Sequence, residues 1–130
     1  MKNVGKKVLI VEDDKELGKT LAGKLASLDC QIIHAADGEM AVELIMDKHP
    51  NLILLDLMLP KLDGFKVLER LRNFPDKAIA EIKVVVLSNL WSDKDILRAK
   101  ALKIEEYYVK SNTNLDDVAL KIKQIISAEK

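Results

Sequence analysis

The segment KVLIVEDD, residues 7–14, contains a short apolar run that ends directly in three carboxylates. Residues 8–11 are all apolar, which is typical of a parallel strand buried on both faces of a sheet. The segment LILLDLMLPKLDG, residues 52–64, has the same arrangement, because its apolar run ends at Asp56. Two such strand ends indicate an α/β protein whose polar groups collect at one edge of a parallel sheet.

Strand-like and helix-like patterns alternate along the whole chain. The predicted strands are Lys7–Val11, Gln31–Ala35, Asn51–Leu55, Lys83–Leu87 and Glu106–Val109. Helices with one apolar stripe are predicted near 15–28, 38–48, 64–73, 92–102 and 114–127, and Asp14, Asp37 and Ser92 stand where residues cap a helix N-terminus. Alternation with short connections predicts an α/β fold with a five-stranded parallel sheet, order 2-1-3-4-5, doubly wound by five helices.

Length and composition indicate a single globular domain. The chain has 130 residues and a formal net charge of zero, so bulk charge attracts neither nucleic acid nor an anionic membrane. Its apolar runs, such as Leu52–Leu55, are far shorter than the roughly 20 residues that span a bilayer, and Met1–Lys7 lacks the apolar centre of a signal peptide. We therefore expect a cytoplasmic protein with no membrane partner and no direct nucleic-acid partner.

The cysteine and histidine content argues against a disulfide or a zinc site. Cys30 is the only cysteine, which excludes a disulfide within the chain. With His34 and His49 it supplies too few ligands for structural zinc. We expect Cys30 to be a small buried hydrophobic residue rather than a reactive thiol.

Polar side chains follow four of the five predicted strands: Glu12, Asp13 and Asp14 after the first, Asp56 after the third, Ser88 and Asn89 after the fourth, and Lys110 after the fifth. In the predicted order, the strands that end at Asp13 and Asp56 are neighbours about 4.8 Å apart. Their carboxylates would repel each other unless they share a cation, and a hard oxygen site with few protein ligands suits Mg²⁺. Lys110 can extend its long side chain towards Asp56, with Ser88 between them. This cluster could hold a dianionic phosphoryl group.

Four segments resemble the receiver domains of two-component response regulators: VLIVEDD (8–14), LILLDLMLPKLDG (52–64), VVVLSN (84–89) and YYVK (107–110). The resemblance extends from about Lys6 to Ser127. It implies a flavodoxin-like receiver fold and one receiver domain over residues 1–130, with its core at about 6–127. Because the last predicted helix ends near residue 127, we expect no output domain.

The resemblance also implies a role for each residue of the site. Asp56 would be the phosphoacceptor. Asp13 and Asp56 would bind Mg²⁺, as would the backbone carbonyl of Met58, while Glu12 would act mainly through water. The remaining implied roles concern the phosphoryl group and the switch: Ser88 and Lys110 would bind the phosphoryl oxygens, and Tyr107 would change rotamer on phosphorylation.

The implied function is signalling rather than enzyme catalysis. A sensor histidine kinase or a phosphotransfer protein would supply the phosphoryl group, and the domain's own chemistry would be limited to self-phosphorylation and self-dephosphorylation. An unknown downstream protein would bind the face formed by residues 92–127. We expect a monomer or a weak, phosphorylation-dependent dimer.

Several positions differ from the usual pattern of the family. Ser111 follows the lysine where proline is common, and Asn89 stands where a small residue is usual. Lys103 occupies a helix end at which glycine is frequent, so this cap is less favourable if it needs a left-handed residue. Trp91 is either an exposed anchor for a partner or a cover over its loop.

Three other functions are compatible with parts of this pattern. A haloacid-dehalogenase-like phosphatase also uses an aspartate at a strand end, but it needs a second acid where Met58 stands. A flavodoxin-like cofactor carrier needs hydrogen-bond donors for a phosphate where this chain has carboxylates. A constitutive protein-interaction domain of the same fold, never phosphorylated, is the alternative closest to the main prediction.

Overall fold

The computed structural model describes residues 4–128 and contains one parallel five-stranded sheet in the order β2-β1-β3-β4-β5. The strands are β1 (Lys7–Val11), β2 (Gln31–Ala35), β3 (Leu52–Leu55), β4 (Lys83–Ser88) and β5 (Glu106–Val109). The helices are α1 (Lys15–Leu25), α2 (Gly38–Lys48), α3 (Gly64–Arg72), α4 (Lys77–Ala80), α5 (Asp93–Ala101) and α6 (Leu115–Ala128). The predicted fold class and strand order are confirmed.

Two hydrophobic cores cover the two faces of the sheet. In β1, Leu9 and Val11 point into the core shared with α2, α3 and α5, whereas Val8 and Ile10 point into the core shared with α1 and α6. Successive strand residues face opposite sides, so a strand buried on both faces must be apolar throughout. This requirement explains the continuous apolar runs in the sequence.

The helix starts confirm the predicted caps. The side chain of Asp14 accepts hydrogen bonds from two backbone amides of α1, and that of Asp37 accepts one from α2. Ser92 caps α5 by accepting from the backbone amide of Asp95, and its hydroxyl donates to the carboxylate of Asp95 at 2.8 Å. These bonds satisfy amides that lack a partner within the helix.

Two features of the helices differ from the prediction. The prediction of five helices omitted α4, a single turn that begins after the cap Asp76. The helix predicted over 15–28 is α-helical only to Leu25 and continues as a 3₁₀ turn, Ala26–Leu28. That turn ends at Asp29, whose φ of 59° is left-handed.

Two residue-level expectations concern Lys103 and Cys30. Lys103 has a φ of 62°, so the end of α5 does require a left-handed residue where the chain lacks glycine. Cys30 is half-buried rather than buried, and it packs against the core beneath α1 and α6. Its partial burial raises the pKa of its thiol. Among the described residues, no helix has both the length and the apolar character needed to cross a membrane.

Candidate functional site

The register of the sheet brings the polar strand ends together. Val11 pairs with Leu55, so the residues after them, Glu12 and Asp56, leave neighbouring strands at the same level. At the other side of the site, Ser88 pairs with Val109, so Lys110 begins the loop after β5 at the same edge. These positions all lie at the carboxyl edge of the sheet, as the sequence predicted.

Three carboxylates form one acidic cluster at this edge. Glu12, Asp13 and Asp56 each place an oxygen within 4.8 Å of the others. Glu12 is 2% exposed and Asp56 is 4% exposed, whereas Asp13 is open to solvent. Buried like charges at this range favour a shared cation, and an all-oxygen donor set with one open side fits Mg²⁺. The cluster is therefore suited to a hard divalent cation.

Lys110 contacts both buried carboxylates directly. Its Nζ lies 2.8 Å from Oδ2 of Asp56 and 2.8 Å from Oε1 of Glu12. Burial alone would lower the pKa of Lys110, but the hydrogen bonds to Asp56 and Glu12 outweigh it and raise the pKa. Burial raises the pKa of Glu12, and the bond from Lys110 offsets part of that effect. The sequence analysis assigned Glu12 a role through water and did not anticipate this direct ion pair.

The Asp56 carboxylate is held at both oxygens. The backbone amide of Met58 donates to Oδ1 at 3.0 Å, and Lys110 donates to Oδ2 at 2.8 Å. The backbone is fixed as well, because the amide of Asp56 donates to the carbonyl of Val11 at 3.0 Å. Asp56 is therefore oriented before any ligand arrives.

Gly64 lies against the backbone of Asp56 and Leu57, and the sequence analysis did not identify it as a residue of the site. Its amide donates to the carbonyl of Leu57 at 3.0 Å. A Cβ at position 64 would lie 2.4 Å from the carbonyl oxygen of Asp56 and 2.5 Å from Cα of Leu57. Any larger residue would thus push on the backbone that carries the central carboxylate. The Asp63-Gly64 pair at the start of a helix was the available signal.

Ser88 and Tyr107 each form a hydrogen bond with the backbone of Leu90. The Ser88 hydroxyl is fully buried and accepts a long hydrogen bond, 3.4 Å, from the amide of Leu90. The Tyr107 hydroxyl donates to the carbonyl of Leu90 at 2.7 Å. Burial, together with the charges of Asp95 and Asp56, raises the pKa of Tyr107 to about 12. The loop after β4 therefore connects a residue of the site to a residue of β5.

An open groove of about 580 Å³ adjoins the acidic cluster. Its lining includes Asp13, Met58, Leu90 and Phe65, and the guanidinium of Arg98 lies 4.0 Å from the centre of the Phe65 ring. The groove lies beside the exposed carboxylate of Asp13, and most of the residues that line it are apolar.

The unusual residues of the loops lie outside the cluster. Asn89 and Ser111 are exposed, and residues Lys110–Asn112 form a 3₁₀ turn that leaves Lys110 within reach of both carboxylates. Trp91 is 74% exposed, which argues against a cover for the loop.

Comparison with known proteins identifies relatives. Residues 8–123 match the family model described as the response regulator receiver domain. The probable transcriptional regulator ycf27 of Cyanophora paradoxa is 35% identical over 105 residues, which are 81% of this chain and 42% of that protein. Protein PilG of Pseudomonas aeruginosa is 31% identical over 106 residues, covering 82% of this chain and 77% of PilG. The chain thus spans less than half the length of the ycf27 relative.

Solved structures share the fold. The receiver domain of the Francisella response regulator 1452 superposes with a TM-score of 0.83 and 26% identity, covering 97% of this chain and all of that one. The Mn²⁺-bound form of response regulator Rcp1 superposes with a TM-score of 0.78 and 33% identity, covering 95% of this chain and 93% of Rcp1. With the family model matching most of its length, this chain belongs to the response regulator receiver domains, a family of signalling proteins.

Proposed function

We propose that Asp56 accepts a phosphoryl group in a Mg²⁺-dependent reaction, and that the modified domain then changes its affinity for a partner protein. The observation that carries this proposal is the position of Asp56. It is buried, lies within 4.8 Å of two other carboxylates, and accepts a hydrogen bond from Lys110. A carboxylate needed only for stability would not require two acidic neighbours.

The metal ion would be held by Asp13, Asp56 and the backbone carbonyl of Met58, with Glu12 acting through water. The donor set fits, because all these groups offer oxygen and one carboxylate is open to solvent. The Mn²⁺-bound structure of Rcp1 supports a divalent cation in a relative of this fold. When bound, the ion would neutralise charge on the oxygens of the transferring phosphoryl group.

The residues of the chain provide positioning and charge. A carboxylate is a weak nucleophile, so an oxygen of Asp56 must be held in line with the phosphorus atom of the donor. With a phosphohistidine donor, the new O–P bond forms as the P–N bond breaks, and the electron pair of that bond remains on the imidazole nitrogen. Lys110 would stabilise the transferring oxygens, and the Met58 amide keeps the carboxylate oriented. The donor would be a sensor histidine kinase or a phosphotransfer protein.

The switch would act through Leu90. After transfer, the Ser88 hydroxyl can donate a hydrogen bond to a phosphoryl oxygen. Turning towards that oxygen would break the bond that Ser88 accepts from the amide of Leu90, which is already long at 3.4 Å. A shift of Leu90 would move its carbonyl oxygen, which is the acceptor of the hydrogen bond from the Tyr107 hydroxyl. The surface affected is the face of residues 92–127, and exposed Leu97 and Leu120 are available there for a partner.

The test is a phosphoryl transfer assay with acetyl phosphate, followed by intact mass. We expect the wild type to gain the mass of one phosphoryl group only with Mg²⁺, and Asp56→Asn to gain none. Asp47→Asn is the matched control, because Asp47 is an exposed residue of α2, and it should react like the wild type. Uptake by Asp56→Asn at the wild-type level would refute the acceptor. No uptake by the wild type would favour the constitutive interaction domain.

A further inference from the structure

His34 connects the edge strand β2 to the segment of Glu12, Asp13 and Asp14, which we call the acidic loop. It pairs with Ile10 in the sheet, and its Nε2 lies 2.8 Å from the backbone carbonyl oxygen of Glu12. A carbonyl oxygen can only accept, so Nε2 carries the hydrogen and donates it. The sequence analysis considered His34 only as a zinc ligand, and nothing in its spacing points to this contact.

Gly18 of α1 provides the space that the His34 ring occupies. A Cβ at position 18 would lie 3.0 Å from Nε2 and 3.3 Å from Cε1 of that ring. Glycine is unfavourable inside a helix, so a ring packed against it gives a physical reason for its presence. Gly23 of the same helix differs, because apart from its chain neighbours and the adjacent helix backbone no atom of the described residues lies within 4 Å of the Cβ it would carry.

The hydrogen bond acts on the peptide that precedes Asp13. The carbonyl of Glu12 and the amide of Asp13 belong to one planar unit, so fixing the oxygen fixes the direction in which the chain enters Asp13. The other end of this segment is also fixed, since the amide of Glu12 donates to the carbonyl of Ala35 at 3.0 Å. These two restraints on the backbone of Glu12 both come from β2.

We propose that His34 is a positioning residue, whose Nε2–H···O=C bond to Glu12 keeps the exposed Asp13 carboxylate directed at Asp56. The inference rests on the proposed function, in which Asp13 binds Mg²⁺. His34 touches no reacting atom, and its effect passes through the backbone. Asp13 needs such support because it is the exposed member of the cluster.

Two substitutions separate the hydrogen bond from side-chain bulk. In His34→Gln, the side-chain amide nitrogen is separated from Cβ by the same number of covalent bonds as Nε2 of histidine, so a donor is retained. His34→Leu retains the bulk of the side chain without a donor. Mg²⁺ binding is titrated by backbone NMR shifts. We expect His34→Leu to weaken the affinity by about threefold to tenfold, below the 10- to 100-fold typical of direct partners of a ligand, and His34→Gln to stay close to wild type.

A second readout needs no metal. In EDTA, amide hydrogen exchange is followed at Asp14, whose amide donates to Oε2 of Glu12 at 3.1 Å. Exchange there should quicken in His34→Leu but not in His34→Gln, because only the former frees the Glu12–Asp13 peptide. Gly18→Ala, whose added Cβ would press on the ring at 3.0 Å, should resemble His34→Leu more weakly, and Gly23→Ala should match the wild type.

The outcomes distinguish this inference from the proposed function. Wild-type Mg²⁺ affinity and wild-type exchange in His34→Leu would overturn the positioning role. The same would follow if His34→Gln and His34→Leu weakened Mg²⁺ binding equally, because the donor would then be irrelevant. If Asp13→Asn binds Mg²⁺ as tightly as wild type, the proposed ligand set is wrong. Faster exchange in His34→Leu would in that case still support the restraint on the loop.

Discussion

The ammonium nitrogen of Lys110 lies 2.8 Å from Oδ2 of Asp56, although the two residues are 54 positions apart in the chain. The same nitrogen lies 2.8 Å from Glu12. One positive charge therefore offsets the repulsion between two carboxylates that burial has removed from water. Under the proposed function Lys110 also binds the phosphoryl oxygens, so its loss should reduce both the stability of the fold and phosphoryl uptake.

Replacing Lys110 by Met should destabilise the fold. Glu12 and Asp56 would lose their shared partner, and we expect the free energy of unfolding at neutral pH to fall by about 2 kcal/mol, since a carboxylate can take up a proton to relieve part of the cost. The loss should shrink at mildly acidic pH, because burial raises the pKa of Glu12 and a protonated Glu12 no longer repels Asp56.

Urea denaturation at both pH values measures this effect. Lys94→Met, at an exposed position of α5, is the control and should change stability by no more than about 0.5 kcal/mol. If Lys110→Met had the same free energy of unfolding as the wild type at neutral pH, the ion pair would not offset the energetic cost of burying the two carboxylates.

Gly64→Ala should disturb the site through the backbone. The added Cβ would lie within 2.5 Å of Leu57 Cα, so the segment from Asp56 to Met58 must shift, at a cost of about 1–3 kcal/mol for overpacking. Phosphoryl uptake should fall as well. The control is Gly23→Ala, which meets open space in α1 and should raise stability by about 0.5–1 kcal/mol through helix propensity. Equal effects of the two substitutions on stability would contradict the steric argument.

The sequence predicts the sheet well because burial on both faces leaves little choice of residue. Leu52–Leu55 is fully apolar for this reason, and Lys83–Ser88 is apolar except at its ends. By contrast, α4 has four residues and a single fully buried side chain, Ile79, so it shows no helical period. Its only local signal is Asp76, which caps it.

The strand-end residues of the site were likewise predictable, since parallel strands place their carboxyl ends together. The contacts between side chains were not. The sequence predicts that Lys110 lies near Asp56. The additional ion pair between Lys110 and Glu12 depends on side-chain rotamers and burial. The contacts of Arg72 are similar, because its guanidinium donates to four backbone carbonyls from two separate segments, those of Leu102, Lys103, Ala80 and Ile82. No local pattern encodes these partners.

The alkaline titration of Tyr107 should be delayed. Burial and the nearby carboxylates raise its pKa to about 12, above the about 10 of an unfolded tyrosine. The folded state thus keeps the phenol proton where the unfolded state has lost it. The resulting contribution to stability is fully present below about pH 10 and is lost as the pH rises through about 12.

Absorbance of the tyrosinate in Tyr108→Phe isolates this group, because the chain has two tyrosines. We expect a midpoint near pH 12 for that variant. Tyr107→Phe should be less sensitive to alkaline unfolding than Tyr108→Phe in the same range. A midpoint close to pH 10 in folded Tyr108→Phe would mean that the hydroxyl is not held against Leu90.

The lifetime of the phosphorylated state should be controlled by Met58. Hydrolysis needs a water molecule in line with the phosphorus atom, and Met58 and Leu90 line the groove beside the cluster without a strong group to orient one. We therefore expect slow self-dephosphorylation, over minutes or longer. Met58→Asn places an amide at the groove and should speed the decay by about tenfold if it orients water. Asn89→Ala tests whether the exposed Asn89 amide already does so.

The decay is followed by intact mass after loading with acetyl phosphate and Mg²⁺ and removing the donor. Met46→Asn is the matched control, because Met46 is 50% exposed, close to the 53% of Met58, but lies on α2 away from the groove. Its decay should equal that of the wild type. Decay of the wild type within seconds would show that the apolar groove does not set the lifetime. Slower decay of Asn89→Ala than of the wild type would show that Asn89 orients the water.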